Sequence, residues 1–235
     1  KDMQGRKTAV WTATNRCNLN CKFCFGREKK KELNVGEAKE LILKMKKMGA
    51  KHFVFSGGEP LLRKDIFELA EYAKKLGMKT ILHTNGILVN RKNAGKIAKY
   101  FDVVNLPVDG ASEKMNFLMG RGELRHTLEV LDLLAEKCEM RVTTVATKVN
   151  NGEIEKISLL LKNKKIKKWR IFKFSPRLGE ALKNRGIFEI GDAEFAKLEG
   201  KIKNRNVEFV SPKSEFEKSY WLIASDGTIS NTKTN

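Results

Sequence analysis

Apolar positions along the chain follow two periods. Compact apolar runs fall at TAVWTAT (8–14), KHFVFS (51–56), KTILHT (79–84), FDVVNL (101–106), RVTTVAT (141–147) and WRIFKF (169–174), each the length of a buried strand. Between them, apolar residues recur at helical spacing: Ala38, Leu41, Ile42, Met45 and Met48; Ile66, Leu69, Ala70 and Ala73; Leu128, Leu131 and Leu134. A strand–helix unit repeated six times predicts a parallel α/β fold. The count favours a curved sheet, a partial (β/α)6 TIM-like barrel, over a flat doubly wound one.

The pattern changes after residue 176. IGDAEFAKLEGKI (190–202) predicts a helix with Asp192 near its start, and VEFVS (207–211) a short strand. YWLIASDGTIS (220–230) predicts a β-hairpin around a two-residue Asp226-Gly227 turn. No linker divides the chain, so we expect one domain over 1–235, with a barrel core at 1–176 and a short C-terminal α/β extension at 177–235.

In folds of this class the chemistry sits in the loops at the carboxyl ends of the strands. The unusual motifs all fall there. Three cysteines follow the first strand, SGGEP (56–60) ends the second, TNG (84–86) ends the third, and PVDG (107–110) follows the fourth.

Composition narrows the class. The 235 residues are 41% hydrophobic and 32% charged, which fits a soluble globular protein. No run approaches the roughly 18 apolar residues of a membrane span. The opening KDMQGRKT is polar and lacks an initiator Met, so it shows no signal-peptide pattern and need not be the protein's start. The net charge of +19 fits either a binder of anions, RNA included, or the lysine-rich surface of a thermophile protein. Gln4 is the sole glutamine, which favours the second, while the plentiful asparagines do not. The runs REKKKEL (27–33) and KNKKIKKW (162–169) read as solvated faces. Four cysteines without secretory context point to a reducing cytoplasm.

Cys17, Cys21 and Cys24 stand in a C-x3-C-x2-C spacing, and Cys138 is remote from them. A structural zinc site wants four protein ligands, usually in two pairs. His52, His83 and His126 have no suitable spacing to supply the fourth. Three thiolates on one tight loop suit a [4Fe–4S] cluster with one iron free of protein, open to a ligand. Nearby, Gly57 and Gly58 allow close backbone approach, and the carboxylate of Glu59 suits an ammonium group. Phe23 offers an aromatic face beside the last cysteine.

C-x3-C-x2-C with an aromatic before the third cysteine, followed by GGEP, resembles the radical S-adenosylmethionine (radical SAM) superfamily. The resemblance implies that Cys17, Cys21 and Cys24 bind three irons and that SAM chelates the fourth. It implies SAM contacts from Phe23, Gly57, Gly58, Glu59 and Pro60, from Thr84 and Asn85, and from Arg121, whose position in the family pairs with the SAM carboxylate. It further implies a ferredoxin- or flavodoxin-like electron donor. Reductive cleavage of SAM would then give a 5′-deoxyadenosyl radical that takes hydrogen from a substrate.

Within the superfamily, DGASEKMNFLMGRG (109–122), KWRIFKF (168–174), IGDAEFAKLE (190–199) and KSYWLIASDGTISN (218–231) together resemble viperin and its microbial homologues. These convert a nucleoside triphosphate to a 3′-deoxy-3′,4′-didehydro nucleotide. On that resemblance Arg170 and Tyr220 are catalytic-site residues at the substrate, and Lys173 and Arg177 add cations to a phosphate site. Thr144 and Ala146 stand where the family's substrate-binding lysine and asparagine are expected. Other small radical SAM enzymes remain as alternatives: a glycyl-radical activase, a molybdenum-cofactor-type cyclase, or an RNA- or cofactor-modifying enzyme. A non-catalytic iron–sulfur or zinc protein would need only the cysteines and leaves GGEP without a reason.

Overall fold

A computed structural model describes residues 7–24, 30–202, 205–211 and 220–230. Residues 27–29 of the first lysine run, and Lys218, Ser219 and Asn231 of the last motif, lie outside the described residues.

All six expected strands form: β1 (Thr8–Thr14), β2 (His52–Gly57), β3 (Lys79–His83), β4 (Val103–Pro107), β5 (Glu139–Ala146) and β6 (Lys168–Lys173). Each pairs in parallel with the next. Parallel pairing requires long crossovers. These are α1 (Val35–Lys47), α2 (Ile66–Lys75), α3 (Arg91–Tyr100), the pair α4 (Glu113–Leu118) and α5 (Leu124–Ala135), and α6 (Ile154–Leu161). Local chemistry sets where they begin. Asn34 caps α1 by accepting from the Glu37 amide at 3.0 Å, while Glu37 returns the bond to the Asn34 amide at 2.8 Å. Asn90 and Asn93 form the equivalent box on α3.

The extension contributes α7 (Gly179–Lys183), α8 (Arg185–Phe188), α9 (Asp192–Lys201), β7 (Val207–Val210), β8 (Tyr220–Ile223) and β9 (Ile229–Ser230). Its strands add to both edges of the barrel sheet. β7 lies parallel to β6, β8 lies parallel to β1, and β9 closes antiparallel on β8. Among the described residues the sheet runs β7-β6-β5-β4-β3-β2-β1-β8-β9. The β8–β9 turn departs from the two-residue expectation. The Ala224 amide donates to the Thr228 carbonyl (2.9 Å) and the Gly227 amide to the Ala224 carbonyl (3.0 Å). Ser225, Asp226 and Gly227 therefore make a three-residue loop, with Gly227 at φ +81° supplying the left-handed position.

The two faces of the sheet differ in kind. The helix-covered face carries the main core, including Trp11, Phe53, Phe55, Leu82, Leu106, Val142, Trp169 and Trp221, all essentially buried. The other face is layered in cross-strand rows. Val10, Val54, Ile81 and Val103 form a small apolar floor. One row toward the strand carboxyl ends stand His83, Asn105, Arg141 and Lys168. The next row holds Pro107, Thr143, Arg170 and Glu208. No helix among the described residues is long and apolar enough to cross a membrane.

Asp102 ties β3 to β4. It accepts from the Thr80 amide (2.8 Å), the Thr80 hydroxyl (3.0 Å) and Lys74 Nζ (2.6 Å). Burial alone would raise its pKa, but these donors hold it below the ordinary aspartate value. A depressed carboxyl stabilises the fold above its unfolded pKa and loses that contribution as pH falls through the folded value. We therefore expect Asp102→Asn to lower the urea midpoint at neutral pH, with the gap to the parent closing as pH drops below the ordinary aspartate range.

Candidate active site

The site begins as a backbone junction. Past β1 the chain turns outward, and the carbonyls of Thr14 and Arg16 accept from the amides of Gly58 and Glu59, both at 2.8 Å. A side chain at Gly58 would run into the Arg16 carbonyl, and one at Gly57, held at φ +131°, into the Thr14 carbonyl. Only glycine lets the two loops meet this closely.

Glu59 carries the junction to the third strand. Its carboxylate is fully buried and accepts from the Leu61 amide (3.0 Å), the Thr84 hydroxyl (2.8 Å) and the Asn85 amide (2.8 Å). Burial pushes its carboxyl pKa up against the pull of those donors. Pro60 starts a short 3₁₀ turn, Pro60–Leu62, that aims the carboxylate inward. Asn85 in turn reaches the cysteine loop, with Nδ2 at 2.7 Å from Asn18 Oδ1 and 3.9 Å from Cys17 Sγ.

Cys17, Cys21 and Cys24 are free thiols. Cys21 is buried, its Sγ 3.0 Å from the Gly120 carbonyl and 3.6 Å from Arg121 Nη1. Burial raises its pKa; Arg121 opposes this, and Cys24, Asp109 and Cys17 add to it. The guanidinium of Arg121 lies 4.9 Å from the centre of the Phe23 ring and is ion-paired to Asp109 at 2.6 Å. The other side of Phe23 packs on Phe188. The Cys24 carbonyl accepts from the Ala181 amide at 3.1 Å, so α7 braces the loop.

This donor set fits an iron–sulfur cluster. Three thiols on one loop, with no histidine beside them among the described residues to complete a four-ligand zinc set, match the thiolate ligation of a cluster that leaves one iron open.

The family model of the Radical SAM superfamily matches residues 11–161. The chain belongs to the radical SAM superfamily. That family uses a [4Fe–4S] cluster and SAM. The Fe-coproporphyrin III synthase of Methanosarcina barkeri (strain Fusaro / DSM 804) is 35% identical over 170 residues, 68% of this chain and 42% of its own length. An S-adenosylmethionine-dependent nucleotide dehydratase of Lacinutrix mariniflava (strain JCM 13824 / KCCM 42306 / AKS432) is 29% identical over 225 residues, 88% of this chain and 46% of its own length. The chain thus spans under half the length of both curated relatives. The crystal structure of Streptococcus suis SuiB bound to S-adenosylmethionine shares the fold, with a TM-score of 0.78 at 22% identity over 95% of this chain and 59% of that one.

Around this radical SAM core the structure sorts the expected substrate residues. Arg170 is on the inner face at the middle of β6 and pairs with Glu208 at 2.9 Å. Tyr220 is not brought to the cysteines. It is level with Thr8, the first residue of β1, and the cysteine loop leaves the other end of that strand. Lys173 points to the helix side, where it pairs with Asp192, and Arg177 donates to Ser175 Oγ at 3.0 Å. Thr144 and Ala146 also face the helix layer and are fully buried. Thr144 accepts from Trp169 Nε1 (2.8 Å) and donates to the Val108 carbonyl. Strand alternation therefore makes Thr143 and Val145 the inward residues of β5, and nothing is missing at Thr144 and Ala146. Cys138 is half-buried, with its Sγ 3.7 Å from the Leu134 carbonyl, away from the cluster loop.

The motifs give no site role to His83, Asn105, Arg141 or Thr143, and none to Asp109 although it stands within both PVDG and DGASEKMNFLMGRG. Period-two alternation through β3, β4 and β5 places four of them on the inner face. Asp109 lies in the loop after β4. Thr143 donates to Asn105 Oδ1 at 2.9 Å, and Arg141 pairs with Glu139 at 2.6 Å. Burial, with the charges of Arg170 and Arg141, lowers the His83 pKa to about 4, so this imidazole is neutral at pH 7.

Two substitutions separate the faces. Gly58→Ala should abolish most iron incorporation on anaerobic reconstitution while the circular dichroism spectrum is kept, because the added methyl pushes the cysteine loop off its bonds. Thr144→Val should cost about 1–3 kcal/mol in urea unfolding by orphaning two buried polar groups, with iron content unchanged.

Proposed function

We propose that the chain is a radical SAM enzyme acting on an anionic small molecule, with a viperin-like nucleoside triphosphate as the first candidate. The cluster and SAM, when bound, supply an organic radical able to take hydrogen from an unactivated carbon. Cys17, Cys21 and Cys24 would hold the cluster. Glu59, Thr84 and Asn85 would shape the SAM pocket through the bonds they already make, and Arg121 would meet the SAM carboxylate.

The observation that carries the substrate class is the inner face. Arg141, Lys168 and Arg170 occupy adjacent positions there, against two carboxylates, Glu139 and Glu208. Arginine forks pair well with phosphate or carboxylate oxygens. Neutral His83, with Asn105 and Thr143, adds hydrogen-bonding groups suited to a sugar or base. The similarity to a nucleotide dehydratase covers 88% of the chain, more than the barrel core alone, which supports the nucleotide reading.

A second reading comes from the 35% identity to an Fe-coproporphyrin III synthase over 170 residues. Propionate carboxylates would suit the same arginines. Both readings are tested by reconstituting the cluster anaerobically, reducing with dithionite, adding SAM and measuring 5′-deoxyadenosine. We expect formation to vanish in Cys21→Ala and to be stimulated by one nucleoside triphosphate. Arg141→Ala should raise the nucleotide concentration needed roughly ten- to hundredfold, as expected for losing a charged hydrogen bond. Stimulation by a carboxylate-bearing iron tetrapyrrole and by no nucleotide would transfer the assignment to the second reading.

A further inference from the structure

We propose that the Asp109–Arg121 pair is a positioning device that raises the reduction potential of the cluster ligated by Cys21. The inference goes beyond the substrate reading and needs only the cofactor that the family uses.

Arg121 is fixed on several sides. Its Nε donates to Asp109 Oδ2 at 2.6 Å, its Nη1 stands 3.6 Å from Cys21 Sγ, and its plane lies over Phe23 at 4.9 Å. Its own amide donates to the Asn116 carbonyl at 3.0 Å. Asp109 is itself anchored. The side chain is fully buried, and its second oxygen accepts from the Val145 amide at 2.7 Å. The Asp109 carbonyl accepts from Asn150 Nδ2 at 2.8 Å. The guanidinium therefore cannot swing off the sulfur without breaking a buried ion pair, which is costly.

The consequence is electrostatic. Reduction adds a negative charge to the cluster, and cluster potentials respond to local charge and to hydrogen bonds at the ligating sulfurs. The pair is neutral as a whole, but the face it turns to Cys21 is the positive one. Coulomb energy falls with distance, so the nearer guanidinium outweighs the carboxylate behind it. The donor N–H at the sulfur acts in the same direction. Both effects favour the reduced cluster.

The test is a potentiometric titration followed by electron paramagnetic resonance, on the full chain, reconstituted and without SAM. Omitting SAM keeps any contact between Arg121 and its carboxylate out of the measurement. Iron and sulfide are counted for every variant. Removing Arg121 alone strands a buried carboxylate, so the main variant is the neutral pair Asp109→Asn with Arg121→Gln. Its midpoint should fall below the parent's at equal iron content. Arg121→Lys, which keeps the charge, should stay closer to the parent than the neutral pair does. A neutral pair with an unchanged or higher midpoint would overturn the proposal. So would loss of the cluster from the neutral pair, which would make the two residues a clamp for the loop. Should the parent itself bind no iron, the cluster assignment fails first, and the iron count shows which idea has fallen.

Discussion

Everything in this molecule hangs on two carbonyls, those of Thr14 and Arg16, being met by the amides of Gly58 and Glu59. The first strand must end and the chain must leave the sheet, which exposes backbone acceptors beside the core. Burying them without partners would cost about 1–3 kcal/mol each. The second strand's end supplies the donors, and its glycines permit the approach. Glu59 then passes the constraint to Thr84 and Asn85 at the end of the third strand. Three consecutive strand ends are thereby held in one geometry before any cofactor binds, and the cysteine loop inherits that geometry at its root.

The same sheet keeps two chemistries apart. Its helix-covered side is packed with tryptophan, phenylalanine and leucine, and a polar atom there needs a dedicated partner, as Thr144 gives Trp169. The opposite side is graded, from an apolar floor through a row with histidine and arginine to the strand ends. Cations there are partly offset by Glu139 and Glu208. This restrains their mutual repulsion while leaving a positive excess on that face.

Much of this was legible in the sequence. The six core strands and their helices follow from apolar periodicity, and the cysteine loop and GGEP stand out because glycine and cysteine at fixed spacing have few other uses. The placement of substrate residues was not. Choosing Thr144 and Ala146 by motif position ignored the alternation that turns them toward the helices. Arg141, two residues before Thr143, was on the correct face throughout. Tyr220 was drawn to the site by its neighbours in sequence, but strand register, a long-range property, carries it to the far end of β1. The pairing of β7 and β8 with opposite edges of the sheet is equally non-local, since nothing in VEFV or YWLI names its partner. Arg121 stands out in sequence through the GRG motif, whereas its pairing with Asp109, twelve positions earlier, depends on how the loop after β4 folds back.

The position of β8 has a temporal meaning as well. β1 carries the cysteines at its end and has one neighbour, β2, close in sequence. Its other neighbour arrives far later. Asn15 bonds Ser225 across 210 residues at 2.8 Å, and Leu33 donates to the Ser225 carbonyl at 3.2 Å. Until β8 docks, the cysteine strand has one flank bare and its loop framed on one side only. An unpaired edge of that kind is open to stray strands. The cysteine loop thus reaches its final frame only when the distant hairpin docks, so residues 210 positions apart share in setting its geometry.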